Sequence, residues 1–193
     1  MFHEWVNVSN VQRVSTGCKY GACAFFNGLK SAIEIPRFES TFSAYKSFSL
    51  SFWYRKTLEN PHVLVSNGQC GDTPSLRVMG YFHGDIKATL HTTSGSHSGK
   101  VRVSTLEWHH LVVTWHHNKM RMYVDKQLVT QGSLSGPLYN SRCSLSIGAK
   151  PVNSSPIIGY YRGYIDQMCL YRSPLTPRDI EKLYNDPSIV KLP

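Results

Sequence analysis

The sequence predicts an all-β domain of sandwich or barrel type that ends in one short helix. Three observations carry this. Apolar and polar side chains alternate along successive short runs. Turn residues separate those runs at roughly 10–12-residue intervals, the rhythm of antiparallel sandwiches and barrels. Only one segment, near the C-terminus, carries helix-start signals. The length of 193 residues fits a single unit, and a 41 % hydrophobic fraction suffices for a core.

The elements follow in chain order. Phe48, Leu50 and Phe52 alternate with Ser49, Ser51 and Trp53, which places the first three on one strand face. Leu76, Val78 and Gly80 alternate with Arg77, Met79 and Tyr81, and Ile86, Ala88 and Leu90 with Lys87, Thr89 and His91. Val101 and Val103 alternate with Lys100 and Arg102. Leu111, Val113 and Trp115 alternate with His110, Val112 and Thr114, so both faces are mostly apolar and the strand is expected in the middle of a sheet. Met120, Met122 and Val124 alternate with Lys119, Arg121 and Tyr123. Ser66-Asn67-Gly68, His83-Gly84-Asp85, Ser94-Gly95-Ser96 and Gly136-Pro137 mark turns. The helix is expected from Thr176 to Asn185, with Thr176 as N-cap, Pro177 in the first position and Ile180, Leu183 and Tyr184 as its apolar stripe.

Charge and cysteine usage narrow the partners and the compartment. The formal net charge is +9, from 21 Lys and Arg against 12 Asp and Glu. No apolar run approaches the roughly 18–20 residues that span a bilayer, so membrane insertion is not expected. Met1-Phe2-His3-Glu4-Trp5 lacks the basic and apolar regions of a signal peptide. The five cysteines include no CxxC pair, which argues against a cysteine-built metal site. Cys18 and Cys23 have the spacing of a small disulfide-closed loop. Asn7-Val8-Ser9 and Asn153-Ser154-Ser155 read as glycosylation acceptors. Together these features favour an extracellular setting, either secreted or as the ectodomain of a membrane protein.

Several motifs in register resemble one family. Tyr20-Gly21-Ala22-Cys23-Ala24-Phe25-Phe26-Asn27-Gly28 followed by Ala32-Ile33-Glu34-Ile35-Pro36 is similar to the opening hairpin of laminin-G-like, concanavalin A-like jelly-roll domains. Phe48 to Trp53 resembles the second strand, and Trp108-His109-His110-Leu111-Val112-Val113-Thr114-Trp115 the Trp-x-His-apolar strand. Met122-Tyr123-Val124-Asp125-Lys126 resembles the following hairpin, with Lys126 where glycine is usual. Leu145 to Gly148, Gly163 to Tyr171 and Leu175 to Ile180 match the closing strands and helix. The resemblance implies a two-sheet antiparallel jelly-roll sandwich over residues 17–186. Residues 1–16 are then an N-terminal extension or first edge strand, and 187–193 a tail. Cys143 and Cys169 lie on the last two strand motifs and are read as a pair. That pairing leaves Cys70 single in an exposed turn, where a disulfide to a second copy would give a dimer. Five cysteines allow other connectivities.

The family fixes a fold, not a function. A jelly-roll glucanase needs carboxylates at alternate positions of one strand, and no two of the acids here lie at i and i+2. No Gly-x-Ser-x-Gly occurs either. A non-catalytic module is therefore expected, with a glycan-cleaving enzyme as the weakest reading. The doublets His109-His110 and His116-His117 are expected to split across a sheet, with His110 in the strand core. Of the pentraxin branch, the strand-to-strand cysteines are missing and Lys150 follows Ile147-Gly148-Ala149, which opposes its calcium site. One structural calcium is the cofactor the superfamily resemblance implies, at Asn27, Gly28 and Asp166. The competing and favoured reading has Asp166 accept backbone hydrogen bonds in a turn.

Alternation also sorts the bases. If the apolar positions face the core, then Arg77, Lys87, His91, Lys100, Arg102, Lys119 and Arg121 face outward, with Tyr81 and Tyr123 nearby. On one sheet they form a cationic surface suited to a sulfated or otherwise anionic glycan, with tyrosine rings for stacking. The alternatives are an acidic protein partner or an oligomerisation role. No nucleic-acid-binding signature is present. The loops 60–62, 92–99 and 151–156 are further places where specificity is expected.

Overall fold

A computed structural model describes residues 7–36, 47–152 and 155–186. The chain forms two seven-stranded antiparallel sheets packed face to face. Sheet A has the order β1 (Asn7–Ser9), β4 (Ala32–Ile35), β13 (Leu145–Ile147), β6 (His62–Ser66), β7 (Leu76–Gly80), β8 (Asp85–Thr92) and β9 (Gly95–Arg102). Sheet B has the order β12 (Gln127–Ser133), β11 (Lys119–Val124), β10 (His109–His116), β5 (Ser47–Lys56), β14 (Arg162–Tyr171), β3 (Cys23–Asn27) and β2 (Val11–Val14). This is the jelly-roll sandwich expected from the resemblance.

The period of two builds the core. Phe48, Leu50, Phe52 and Tyr54 of β5 and Leu111, Val113 and Trp115 of β10 pack against Leu76, Val78, Ile86, Ala88 and Leu90 of the facing sheet. Met120, Met122 and Val124 complete that layer, with Val101 and Val103 at its margin. The strand β10 lies third in its sheet, as its two apolar faces require. Its outer face carries Val112, which is covered with Tyr123 by Leu175, Ile180 and Leu183. The helix α1 (Pro177–Asn185) supplies Ile180 and Leu183. Thr176 accepts from the Asp179 backbone N–H, and the Asp179 carboxylate accepts from the Thr176 backbone N–H, a reciprocal cap. Thr176→Ala is expected to cost about 1 kcal/mol; a urea titration showing no loss would mean that packing alone fixes the helix.

The two side edges of the sandwich differ. On one, β9 abuts β12 so closely that a Cβ on Gly99 would lie 2.2 Å from Cγ2 of Thr130, and one on Gly132 2.3 Å from the His97 ring. On the other, the short strands β1 and β2 are joined by Asn10 alone and enter different sheets. Val8, Val11, Phe26, Ile33 and Ile165 line an apolar cleft of about 410 Å3 there.

Several expectations need correction. Of the two readings of the N-terminus, residues 7–14 follow the edge strand, but as two strands, one at the edge of each sheet. Thr92 to Gly99 is not a long loop: Thr92 pairs with Gly95 and Ala88 with Gly99 in a tight hairpin. His62 is not on a specificity loop but fully buried in β6. His116 and His117 do not split across the sheet. His117 and Asn118 form a left-handed two-residue turn (φ 46° and 60°), and the two rings lie 3.7 Å apart.

Disulfides join Cys18 to Cys23 and Cys70 to Cys143. Cys169 is the free thiol, half-buried on β14. The pairing of Cys143 with Cys169 is thus replaced by Cys70–Cys143. Cys70, being bonded within the chain, does not offer the expected route to a dimer. The residue ranges 1–6 and 187–193 lie outside the described residues, as does Asn153. Asn7, the other expected glycosylation acceptor, is exposed on β1.

Candidate glycan-binding face

Sheet register decides which bases share a surface. Arg77 pairs with Thr89 on β8, and Thr89 with Ser98 on β9. Lys87 stands opposite Met79 on one side and Lys100 on the other. Cross-strand partners point to the same face, so Arg77, Lys87, His91 and Lys100 share the outer face of sheet A. Arg102 and Tyr81 sit at its end, where the Lys100 ammonium lies 5.8 Å from the Tyr81 ring centroid.

The structure does not bring the other three residues to this face. Lys119, Arg121 and Tyr123 are on β11, in the opposite sheet. The seven bases therefore do not form one surface. Tyr123 is 6 % exposed and packed against Leu175, Ile180 and Leu183, so its ring stacks on protein and is closed to a ligand. The sequence shows alternation along each strand but not which sheet the strand joins.

Charge on the sheet A face is unevenly balanced. Asp85 takes both Lys100, at 2.6 Å, and Arg102, at 3.1 Å. Those two cations hold the Asp85 carboxyl below its ordinary value. The neutral oxygens of Thr89 and Ser98, 2.9 Å apart, lie between the remaining bases. Arg77 is half-buried, its Nε encloses no acceptor, and burial pulls its guanidinium below the ordinary range. His91 is held below its ordinary value by burial, then by the charges of Arg77 and Lys87. Arg77 and Lys87 are thus cations with no salt bridge to a carboxylate among the described residues, and His91 stands beside them as a neutral ring near pH 7.

The expected calcium ligands do not fit one ion. Asn27 pairs with Arg162, and Asp166 lies four residues further along β14. At about 3.3 Å per residue the two sites are about 13 Å apart, whereas one calcium draws its ligands in to roughly 2.3–2.6 Å. Asn27 Oδ1 accepts from the Leu29 N–H at 2.7 Å and from the Ser31 hydroxyl. Asp166 accepts from the backbone N–H groups of Tyr20 (2.9 Å) and Gln167 (2.8 Å), which is the turn role and not a ligand's.

One arrangement has the outline of a hydrolase triad. Asp125 Oδ2 lies 2.7 Å from His109 Nδ1, and His109 Nε2 lies 2.9 Å from Ser104 Oγ. Two contacts oppose catalysis. The Ser104 hydroxyl is directed to the Glu107 carboxylate, and His109 Nε2 is 3.1 Å from the Ser104 carbonyl oxygen. His109 Nε2 is thus shared between the Ser104 hydroxyl and the Ser104 carbonyl, and the hydroxyl is turned to a second carboxylate rather than held by the ring alone, which is not the geometry of an activated serine. The cluster ties the 103–108 loop to the β11–β12 turn. Asp125 also accepts from the His110 backbone N–H at 2.9 Å. His110 itself points to the outer face of sheet B, 2.8 Å from Ser51 Oγ and stacked on Trp53, rather than into the sandwich core.

Comparison with known proteins agrees with this architecture. A family model described as the concanavalin A-like lectin/glucanases superfamily matches residues 27–181. No curated protein matches significantly. The fold is similar to the binding domain of Paraclostridial Mosquitocidal Protein 1, with TM-score 0.75 and 18 % identity over 93 % of this chain and 47 % of that one. It is similar to domain 4 of AbnA, an extracellular arabinanase from Geobacillus stearothermophilus in complex with arabinotriose. There the TM-score is 0.68 at 16 % identity, over 93 % of this chain and 86 % of the other. Trypanosoma rangeli sialidase in complex with the inhibitor DANA is also similar, with TM-score 0.67 and 18 % identity over 97 % of this chain and 30 % of the enzyme. The chain thus spans about half the length of the toxin binding domain it resembles. At these identities the likeness is one of fold.

Proposed function

Because the chain belongs to the concanavalin A-like lectin/glucanase superfamily, in which the sandwich scaffolds binding and the ligand is set by side chains, we propose that it is a non-catalytic extracellular recognition module for a sulfated glycan. The ligand lies on the outer face of β7, β8 and β9. One observation carries this reading: Arg77 and Lys87 share the outer face of adjacent strands, with His91 beside them, and no carboxylate among the described residues forms a salt bridge with them. A bound sulfate row neutralises these two bases, with Arg77 giving bidentate contacts and Thr89 and Ser98 adding neutral hydrogen bonds. The two disulfides suit an oxidising compartment.

Heparin-affinity chromatography tests this. The native chain is expected to elute above roughly 0.15 M salt, the physiological level at which exposed charges are already screened over about 8 Å. Arg77→Glu with Lys87→Glu is expected to abolish retention. Asp85→Asn releases Lys100 and Arg102 and is expected to raise the eluting salt. Lys119→Glu with Arg121→Glu, on the opposite sheet, is expected to change it little. Equal losses from the two double variants would show that retention follows net charge and not this face. Binding also raises the proton affinity of His91, so retention is expected to strengthen from pH 7.5 to pH 6.

A further inference from the structure

The outer face of sheet B carries a second row that the cationic face does not account for. Arg55 of β5 pairs with Tyr164 of β14, and Tyr164 with Phe25 of β3. On the other flank His109 pairs with Tyr54, so Trp108 stands beside Arg55. Tyr54, Ile165 and Phe26 alternate with these residues and lie in the core, so the row faces outward. All four members are only partly covered. The Phe25 and Tyr164 ring centroids are 4.9 Å apart, and those of Tyr164 and Trp108 6.2 Å. The Arg55 guanidinium lies over both larger rings, 4.5 Å from Tyr164 and 5.5 Å from Trp108, and its Nε has no acceptor.

Beside the row is a cleft of about 350 Å3 with Phe25 and Arg162 in its lining and two exposed leucines, Leu29 (75 %) and Leu58 (44 %), on its walls. Gly28 has φ +78°, and a Cβ there would lie 3.0 Å from the Arg162 Cβ; glycine lets the turn and the arginine stem share this corner. Solvent-facing strands normally carry polar side chains, and a contiguous exposed apolar patch marks a contact surface. Among the described residues neither Arg55 nor Arg162 has a salt bridge to a carboxylate, and Asp166, on the same face of β14, has both oxygens committed to backbone N–H groups.

The geometry points to a binding site for a carboxylated sugar residue, with the apolar face of its ring on Phe25 and Tyr164 and its carboxylate on Arg162 and Arg55. Aromatic rings present a flat apolar surface of the kind a pyranose ring offers on one side, and a guanidinium pairs with a carboxylate through two parallel N–H donors. The cleft has the size, mostly apolar lining and few polar groups typical of small-ligand sites. This site is on the opposite sheet from Arg77 and Lys87 and does not depend on them.

The test is an NMR titration of the whole chain with methyl glucuronide, following the Trp108 indole N–H and the Arg55 Nε–H. Saturable shifts of both are expected, with methyl glucoside roughly tenfold weaker because it lacks the carboxylate. Arg162→Glu, at an exposed position, is expected to abolish the shifts. Tyr164→Ala is expected to weaken them, in a variant whose melting temperature confirms folding. Arg77→Glu with Lys87→Glu is expected to leave them unchanged, so failure here and failure of heparin retention are separate results. Equal binding of glucuronide and glucoside overturns the proposal, as does retention of binding in Arg162→Glu. Shifts produced only by an acidic leucine-containing peptide overturn it in favour of a protein partner.

Discussion

Acidification from pH 6.5 to pH 4 is expected to remove about 3 kcal/mol of stability for each of two buried histidines. His62 is 1 % exposed, and burial pulls its pKa from 6.5 down to about 4. His110 is 2 % exposed, and burial lowers it likewise to about 4. In the unfolded chain both take up a proton near pH 6.5, while the folded chain refuses it until about pH 4. Between those values the unfolded state holds more protons, so stability falls as pH falls. Their geometry accounts for the refusal. The His62 Nδ1–H donates to the Asn60 carbonyl at 2.7 Å, and its other nitrogen meets Gly80 with no acceptor available. His110 Nδ1 is also enclosed without a partner, beside Trp53.

A combined loss of about 6 kcal/mol is comparable to the whole stability of an ordinary domain. Thermal melts at pH 7.5, 6.5, 5.5 and 4.5 are expected to show a steep decline only below pH 6.5. Asp72, Asp125 and Asp179 are held below their ordinary 3.8 and contribute stability above that value. Their contribution is lost as pH falls through their lowered values, so it does not overlap the histidine window. His110→Gln is expected to remove about half of the decline. A melting temperature flat from pH 6.5 to 4.5 would contradict the buried-neutral assignment of both rings.

Removal of the Cys70–Cys143 bridge is expected to cost about 4 kcal/mol, because it closes a long loop in the unfolded chain. The two residues are 73 apart in sequence, against 5 for Cys18 and Cys23. The same loop-closure argument gives about 2 kcal/mol for the shorter bridge. Cys70→Ser with Cys143→Ser is expected to lower the melting temperature by roughly 8–16 °C, and Cys18→Ser with Cys23→Ser by about half as much. Folded contacts other than the bridge tie the same segments together. Gln69 donates to the Ala149 carbonyl at 2.8 Å, and Asp72 accepts from the Arg142 N–H at 3.0 Å and the Tyr139 hydroxyl at 3.2 Å. The loss therefore arises mainly in the unfolded ensemble. Non-reducing gels are expected to show a monomer. A stronger effect from the shorter bridge would mean that folded-state contacts, not loop entropy, set the difference.

Much of the fold was legible because burial imposes a period of two that survives in the sequence. Phe48-Leu50-Phe52 and Leu76-Val78 reported their inner faces directly. What alternation does not encode is which sheet a strand enters, so Lys119 and Arg121 were grouped with bases on the opposite side of the molecule. The strand β6 is not legible because His62-Val63-Leu64-Val65 is buried on both faces and shows no alternation. The pairing of Cys70 with Cys143 is a long-range contact that no local signal carries. The aromatic row is hidden in the sequence for the same reason. Phe25, Arg55, Trp108 and Tyr164 come from four separate segments, and only the register places them side by side.

The short run from Asn7 to Val14 has a consequence for solubility. Each sheet ends there in a strand of three or four residues, and a single residue, Asn10, links them. One proteolytic nick between β1 and β2 would free β1 to dissociate, because among the described residues its ladder to β4 is the strand pairing that holds it. The backbone donors and acceptors of Ala32–Ile35, flanked by Ile33 and Ile35, would then stand open as a template for another chain. Resistance to self-association at this margin thus rests on eight residues, which border the aromatic row through the pairing of Gln12 with Phe25.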